Sequence, residues 1–184
     1  MSMQNHVAFS GADRGDWRVE SLRAVRGDPL PAVPYLDVAP ASGSENQTSR
    51  PWVLRGFASN VRYAKRVEVT SLKAQSEPLG RSHAMKAALI PIRKTPDWWA
   101  LAQDERRAIF EEQSHHTAIG MDYLPAIARK LYHARDLGEP FDFLTWFEFA
   151  PEHEAAFEAL VARLRATREW TYVDREIDIR LVRA

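Results

Sequence analysis

Apolar positions in this chain recur at two spacings, every second residue and every third or fourth, and the switches between them mark out strands and helices. Alternation predicts strands over 6–10 and 17–25, joined by the turn-rich run Gly11 to Asp16. Residues 26–50 gather Pro29, Pro31, Pro34 and Pro40 with Gly27 and Gly43, and read as a long connection. Trp52 to Tyr63 reads as a strand with an irregularity at Gly56. From Ala64 to Gln75 the pattern is ambiguous, with Val67, Val69 and Thr70 favouring a strand. Ala87 to Arg93 is an apolar strand whose Pro91 predicts an edge or a bulge. Phe141 to Phe149 alternates most clearly: Phe141, Phe143, Thr145, Phe147 and Phe149 face one way, and Asp142, Leu144, Trp146 and Glu148 the other. A helix from Pro151-Glu152 to Ala166 turns Ala156, Leu160, Val161 and Leu164 inward, and Thr171 to Val182 closes the chain as a strand.

The middle of the chain carries the residues that ask for a chemical explanation. Residues 101–119 are rich in strong helix formers, and Ala108, Ile109, Glu112, His116 and Ile119 fall at steps of three and four on one predicted face. Gly120 reads as a stop signal and Pro125 forbids continuing the helix. A strand follows, with Ile127, Arg129 and Leu131 on one side and Ala128, Lys130 and Tyr132 on the other. An arginine between two apolar neighbours is costly unless an anion meets it. A helix end, a turn and a strand separate His116 from Arg129, so the two can approach one site from opposite sides. A metal held in a macrocycle would suit that pair, taking the neutral imidazole on one face and leaving an anion to the guanidinium on the other. The residues alone leave two plainer readings open, a polar surface histidine and an arginine paired with a core carboxylate.

Composition narrows the partners. The 184 residues suffice for one large domain or two small halves. With 25 acidic and 25 basic residues, no general electrostatic grip on nucleic acid or an anionic membrane is expected. The absence of cysteine rules out disulfides, thiolate ligands and cysteine nucleophiles. The first residues lack a signal-peptide pattern and no apolar run approaches a membrane span, so a cytoplasmic location is expected.

The run Glu112-Gln113-Ser114-His115-His116, then Tyr123-Leu124, Ala128-Arg129-Lys130-Leu131-Tyr132-His133 and Gly138 to Glu148, resembles the core of the chlorite dismutase family. Leu54-Arg55-Gly56, Ser59-Asn60, Arg62-Tyr63, Ala87 to Ile92, Lys94, Trp98-Trp99 and Glu169 to Val173 extend the resemblance from about residue 50 to the end. Within the family it resembles the short, dimeric branch, whose N-terminal half is abbreviated. The resemblance implies an α+β fold, a dimeric α+β barrel with two ferredoxin-like halves built on antiparallel sheets. It also favours a helix over 64–75. Residues 1–50 are then short N-terminal strands and a linker of the reduced half, and 51–184 the ferredoxin-like heme-binding region.

The same resemblance implies heme b, a homodimer, and the conversion of chlorite to chloride and dioxygen. His116, thirteen positions before the arginine, takes the axial place on iron, and Glu169 accepts the proton of its other nitrogen. Arg129 matches the distal arginine that holds a hypochlorite-like fragment while a ferryl intermediate stands on the iron. Leu124, Leu131, Thr145 and Phe147 complete the pocket, and Tyr63, Lys94 and Trp98 match positions near the heme propionates. The alternative on the same scaffold is a heme-dependent peroxidase or a coproheme decarboxylase, and the family's decarboxylases lack the arginine. A non-catalytic binding module is the third reading.

Overall fold

The computed structural model describes residues 6–41, 50–59 and 62–184. Eight strands close into one barrel: β1 (His6–Ala12), β2 (Trp17–Arg26), β3 (Tyr35–Pro40), β4 (Val53–Phe57), β5 (Lys86–Lys94), β6 (Ala128–His133), β7 (Phe143–Phe149) and β8 (Val173–Arg183). Around the barrel the order is β4-β1-β3-β2-β8-β5-β7-β6, and every pairing is antiparallel. Each half therefore sets its own four strands in the order fourth, first, third, second, the ferredoxin-like arrangement. In the second half a helical stretch, residues 95–127, links the first strand to the second; in the first half a turn over 13–16 does so. This is the expected α+β barrel with a reduced N-terminal half.

The barrel interior is full. Phe9, Trp17, Leu54, Leu89, Leu144, Trp146, Ile177 and Ile179 pack into one buried cluster. Phe9 stacks on Trp146 at 5.6 Å, and Trp17 meets the same ring edge-on at 5.4 Å. Interdigitated aromatics leave a ligand no room in the lumen. A second cluster covers the outer face of the C-terminal sheet, where Ile90, Phe147 and Phe149 meet Phe157, Leu160 and Leu164 of helix α5 (Glu154–Arg165).

Four elements differ from the sequence pattern. β3 lies inside the stretch read as a connection, where prolines on either side hide a short strand; Ser42 to Ser49 of that stretch fall outside the described residues. β4 ends at Phe57, and Gly56 keeps regular pairing, opposite Val7. Its missing side chain makes room for Tyr132, whose Cβ would stand 2.7 Å from an added methyl. β5 is an interior strand paired to β7 and β8, and Pro91 sits where the β8 ladder skips from Leu89 to Ile92. The predicted helix over 101–119 is broken into α3 (Gln103–Arg107), a π-helical turn (Ala108–Gln113) and α4 (His116–Met121), with the short α2 (Pro96–Ala100) before them. The ambiguous stretch is a helix, α1 (Arg66–Gln75), as the family pattern favours. Among the described residues no helix is long and apolar enough to cross a membrane.

Candidate functional site

The break before α4 aims the histidine. His115 takes a left-handed conformation, φ 53°, which ends the π-helical turn and restarts the helix in a new phase. The first N–H groups of α4 need acceptors, and the buried carboxylate of Glu111 supplies them, to Thr117 at 2.6 Å and Ala118 at 3.3 Å. Glu112, placed by periodicity on the histidine face, is instead exposed; Glu111 is the inward acid.

His116 opens α4 and gives its Nδ1 to Glu169 Oε2 at 2.6 Å. The other oxygen of Glu169 accepts Lys94 Nζ at 2.6 Å, and this pair is buried, at 2% and 4% side-chain exposure. The Glu169 N–H donates to the buried Ser114 Oγ at 2.9 Å, so the carboxylate is fixed at its root. Burial alone would raise the Glu169 carboxyl, but the charges and hydrogen bonds of His116 and Lys94 hold it down, to about 2. With Nδ1 committed and the His116 side chain 25% exposed, Nε2 is the nitrogen left for a ligand.

Lys94 therefore differs from its expected place. Its ammonium lies behind the histidine, 4.4 Å over the Trp98 ring, rather than toward a cofactor carboxylate. Tyr63 and Trp98 do share one aromatic cluster, 5.9 Å apart and edge-on. Among the described residues the buried hydroxyl of Tyr63 and the buried Nε1 of Trp98 have no hydrogen-bond partner. Phe110, which the sequence pattern did not single out, stacks on the His116 ring at 4.4 Å. Its only signal in the chain is its position six residues before the histidine.

Arg129 stands on β6 opposite Phe147 of β7, and Leu131 opposite Thr145, so these four side chains share the sheet's outer face. Leu131 is 40% exposed there. Leu124 lies half-buried in the connection leading from α4 to β6. Among the described residues the Arg129 guanidinium has no carboxylate within salt-bridge distance, and burial pulls its pKa below the ordinary guanidinium range. Its guanidinium packs against Gly120, one helical turn from His116 on the same face of α4. The guanidinium thus lies beside the helix that carries His116.

These residues suit heme. Among the described residues no three His, Cys, Asp or Glu side chains gather as they would around a bare ion. A lone imidazole with a fixed second nitrogen matches a metal that brings its equatorial ligands with it. The two unpartnered donors, Tyr63 and Trp98, match a group with carboxylates at its edge, and exposed Leu131 matches an apolar face. A separate cavity of about 320 Å³ in the N-terminal half, lined by Asp13, Arg14, Asp37 and Arg50 among others, holds none of these residues.

Comparison with known proteins points the same way. A family model described as chlorite dismutase matches residues 42–183. The chain is similar to a dimeric chlorite dismutase from Nitrobacter winogradskyi at 56% identity and a TM-score of 0.91, over 96% of this chain and 99% of that one. It is also similar to the chlorite dismutase of Candidatus Nitrospira defluvii solved in complex with imidazole, at 27% identity and a TM-score of 0.58, over 80% of this chain and 56% of that one. A stretch of 62 residues, 34% of this chain, is 39% identical to the chlorite dismutase of Ideonella dechloratans and spans 20% of that relative's length.

Proposed function

We propose that this chain, which belongs to the chlorite dismutase family, binds heme b through His116 and converts chlorite to chloride and dioxygen. The observation that carries this reading is an imidazole on α4 backed by buried Glu169 and Lys94, together with an arginine on β6 that has no carboxylate partner among the described residues. When bound, heme b supplies a redox-active iron at which a chlorine–oxygen bond is broken and an oxygen–oxygen bond is made. The chain's own residues do the rest.

Glu169 holds the Nδ1 proton of His116, which fixes the ring and raises its basicity as a ligand. Lys94 shares that carboxylate and limits how far it draws the proton away. Across the pocket Arg129 offers a permanent cation with several donors to a small oxyanion. It orients chlorite and retains the hypochlorite-like anion formed beside it until the two oxygens join, so no oxidant escapes into the protein. Leu124, Leu131, Thr145 and Phe147 wall the space and exclude water, which strengthens the arginine's hold. Tyr63 and Trp98 provide donors toward the cofactor's carboxylates. The arginine favours chlorite chemistry over coproheme decarboxylation on this scaffold. The likeness to a dimeric relative along nearly the whole chain supports a homodimer.

An oxygen-electrode trace tests the proposal. Heme-loaded protein should release dioxygen from chlorite, and Arg129→Ala should lose about 100- to 1,000-fold in rate while keeping its Soret band. Equal oxygen release by the two proteins would remove Arg129 from the chemistry.

A further inference from the structure

β2 belongs to the reduced half of the barrel and runs antiparallel to β8 of the other half. Their register slips near the end of β2: Ala24 stands opposite Ile177, and Arg26, not Val25, stands opposite Glu176. An extra residue in one strand re-aims the side chain that follows it. Without the slip an apolar valine would take this place. Ile177 fills the barrel, so its neighbour Glu176 and the residue opposite it lie on the outer face. There the ladder ends, beside the 3₁₀ turn Arg168–Tyr172 that leads into β8. The last carbonyls of such a turn need donors from outside it. Arg26 supplies them, its Nη1 donating to the carbonyl of Trp170 at 3.0 Å and to that of Val173 at 2.9 Å. The rest of the turn is tied down as well: the Glu169 N–H is bound to Ser114, and the Trp170 Nε1 donates to buried Glu176 at 2.8 Å.

We propose that Arg26 is a positioning residue for the axial histidine: a cation of the N-terminal half fixes the turn that presents Glu169 to His116. The inference rests on the reading of His116 as the heme ligand, and it adds what holds that ligand's acceptor in place. Glu169 directly precedes Trp170, so a shift of the Trp170 carbonyl reaches the carboxylate through one residue of backbone. The contact it would disturb, Glu169 with His116 Nδ1 at 2.6 Å, has little slack. The Trp170 ring moves with the same turn, and it lies 6.4 Å from the His116 ring and nearly parallel to it. Arg26 makes these bonds across 144 positions of sequence. The abbreviated half of the barrel thereby helps to aim an imidazole that the other half carries.

The test is a double-mutant cycle on Arg26→Met, which removes the donors, and Glu169→Gln, with two measurements. In cofactor-free protein labelled at histidine, the His116 Nδ1 proton resonance reports the contact with Glu169, because a short charge-assisted hydrogen bond draws it downfield. Arg26→Met should move it upfield, and Arg26→Lys, which keeps a cationic donor, should leave it nearer the wild-type position. In heme-loaded protein, transfer to a heme-scavenging globin gives the rate of heme loss. Arg26→Met should raise that rate about 3- to 10-fold, less than losing the acceptor itself does, and leave it unchanged where Glu169 is already glutamine. An unmoved resonance would overturn the proposal. So would an equal rise in heme loss in both backgrounds, since Arg26 would then act on the barrel at large rather than through Glu169. A moved resonance in a protein whose heme loss is indifferent to His116→Ala would uphold the hold on the turn and strike out the axial reading instead.

Discussion

Lys94 and Glu169 are buried together behind His116, and the Glu169 carboxylate depends on both neighbours for its charge. Glu169 is kept ionised by an imidazole on one oxygen and an ammonium on the other. Removing either partner strands a buried charge, which costs about 3–5 kcal/mol when no water or acceptor replaces it. Lys94→Met should therefore lower the stability of the cofactor-free protein by that order, measured by urea unfolding. Glu169→Gln should in addition loosen heme about 10- to 100-fold, because His116 loses the acceptor that orients its ring; a heme titration reads this directly. A Lys94→Met protein as stable as wild type would mean that the ammonium contributes nothing to holding the carboxylate. Sequence spacing cannot disclose this pair, since 75 residues separate its members. The residue type suggested a carboxylate partner for Lys94, but only the fold shows that the carboxylate belongs to the protein.

At the scale of elements, periodicity read well wherever an element buries one continuous face. Phe143, Phe147 and Phe149 do lie on the outer side of β7 while Leu144 and Trp146 fill the barrel, but Phe141, read on the same face, precedes the strand and joins the barrel cluster; α5 buries Leu160, Val161 and Leu164 as its spacing predicts. It failed where side chains rather than the ladder direct the backbone. Strong helix formers run through residues 101–119, yet the helix stops and restarts around His115 because Glu111 folds back to accept the N–H groups of Thr117 and Ala118. α1 was ambiguous for a different reason. It buries no residue, so no apolar stripe exists to read, and the Glu68–Arg107 ion pair at 2.6 Å ties it to α3. The break before α4 carries a consequence for binding. Glu111→Ala leaves two helix-start donors without their acceptor and should cost about 1–2 kcal/mol of stability, in the range of a lost helix cap. Heme affinity should fall with it, since the same carboxylate sets the direction of His116. Thermal melts and heme titration of this variant check both; an unchanged heme affinity would detach the cap from the site.

Across the whole molecule, closing the barrel leaves one thin seam. Among the described residues β4 and β6 meet through a single ladder pair, Phe57 with His133, whereas β6 and β7 pair along their full length. His133 lies at that seam, 3% exposed, between the rings of Phe57 at 5.9 Å and Phe143 at 5.6 Å, and among the described residues its Nδ1 has no partner. Burial lowers its pKa to about 4, with nearby Arg62 adding to the fall and Asp136 opposing it. The folded protein thus binds this proton less readily than the unfolded chain, whose histidine titrates near 6.5. Above that pH the residue is neutral in both states and its contribution to stability is complete. As pH drops from about 6.5 toward 4, the unfolded chain gains a proton that the folded one resists, and stability declines. Replacing His133 with phenylalanine keeps an apolar ring between Phe57 and Phe143 and removes the titration. Urea unfolding across this range should show the wild type losing stability relative to His133→Phe, with the two curves parallel above pH 7. Parallel curves throughout would mean that His133 is charged within the fold, and that the seam closes over a cation rather than a neutral ring.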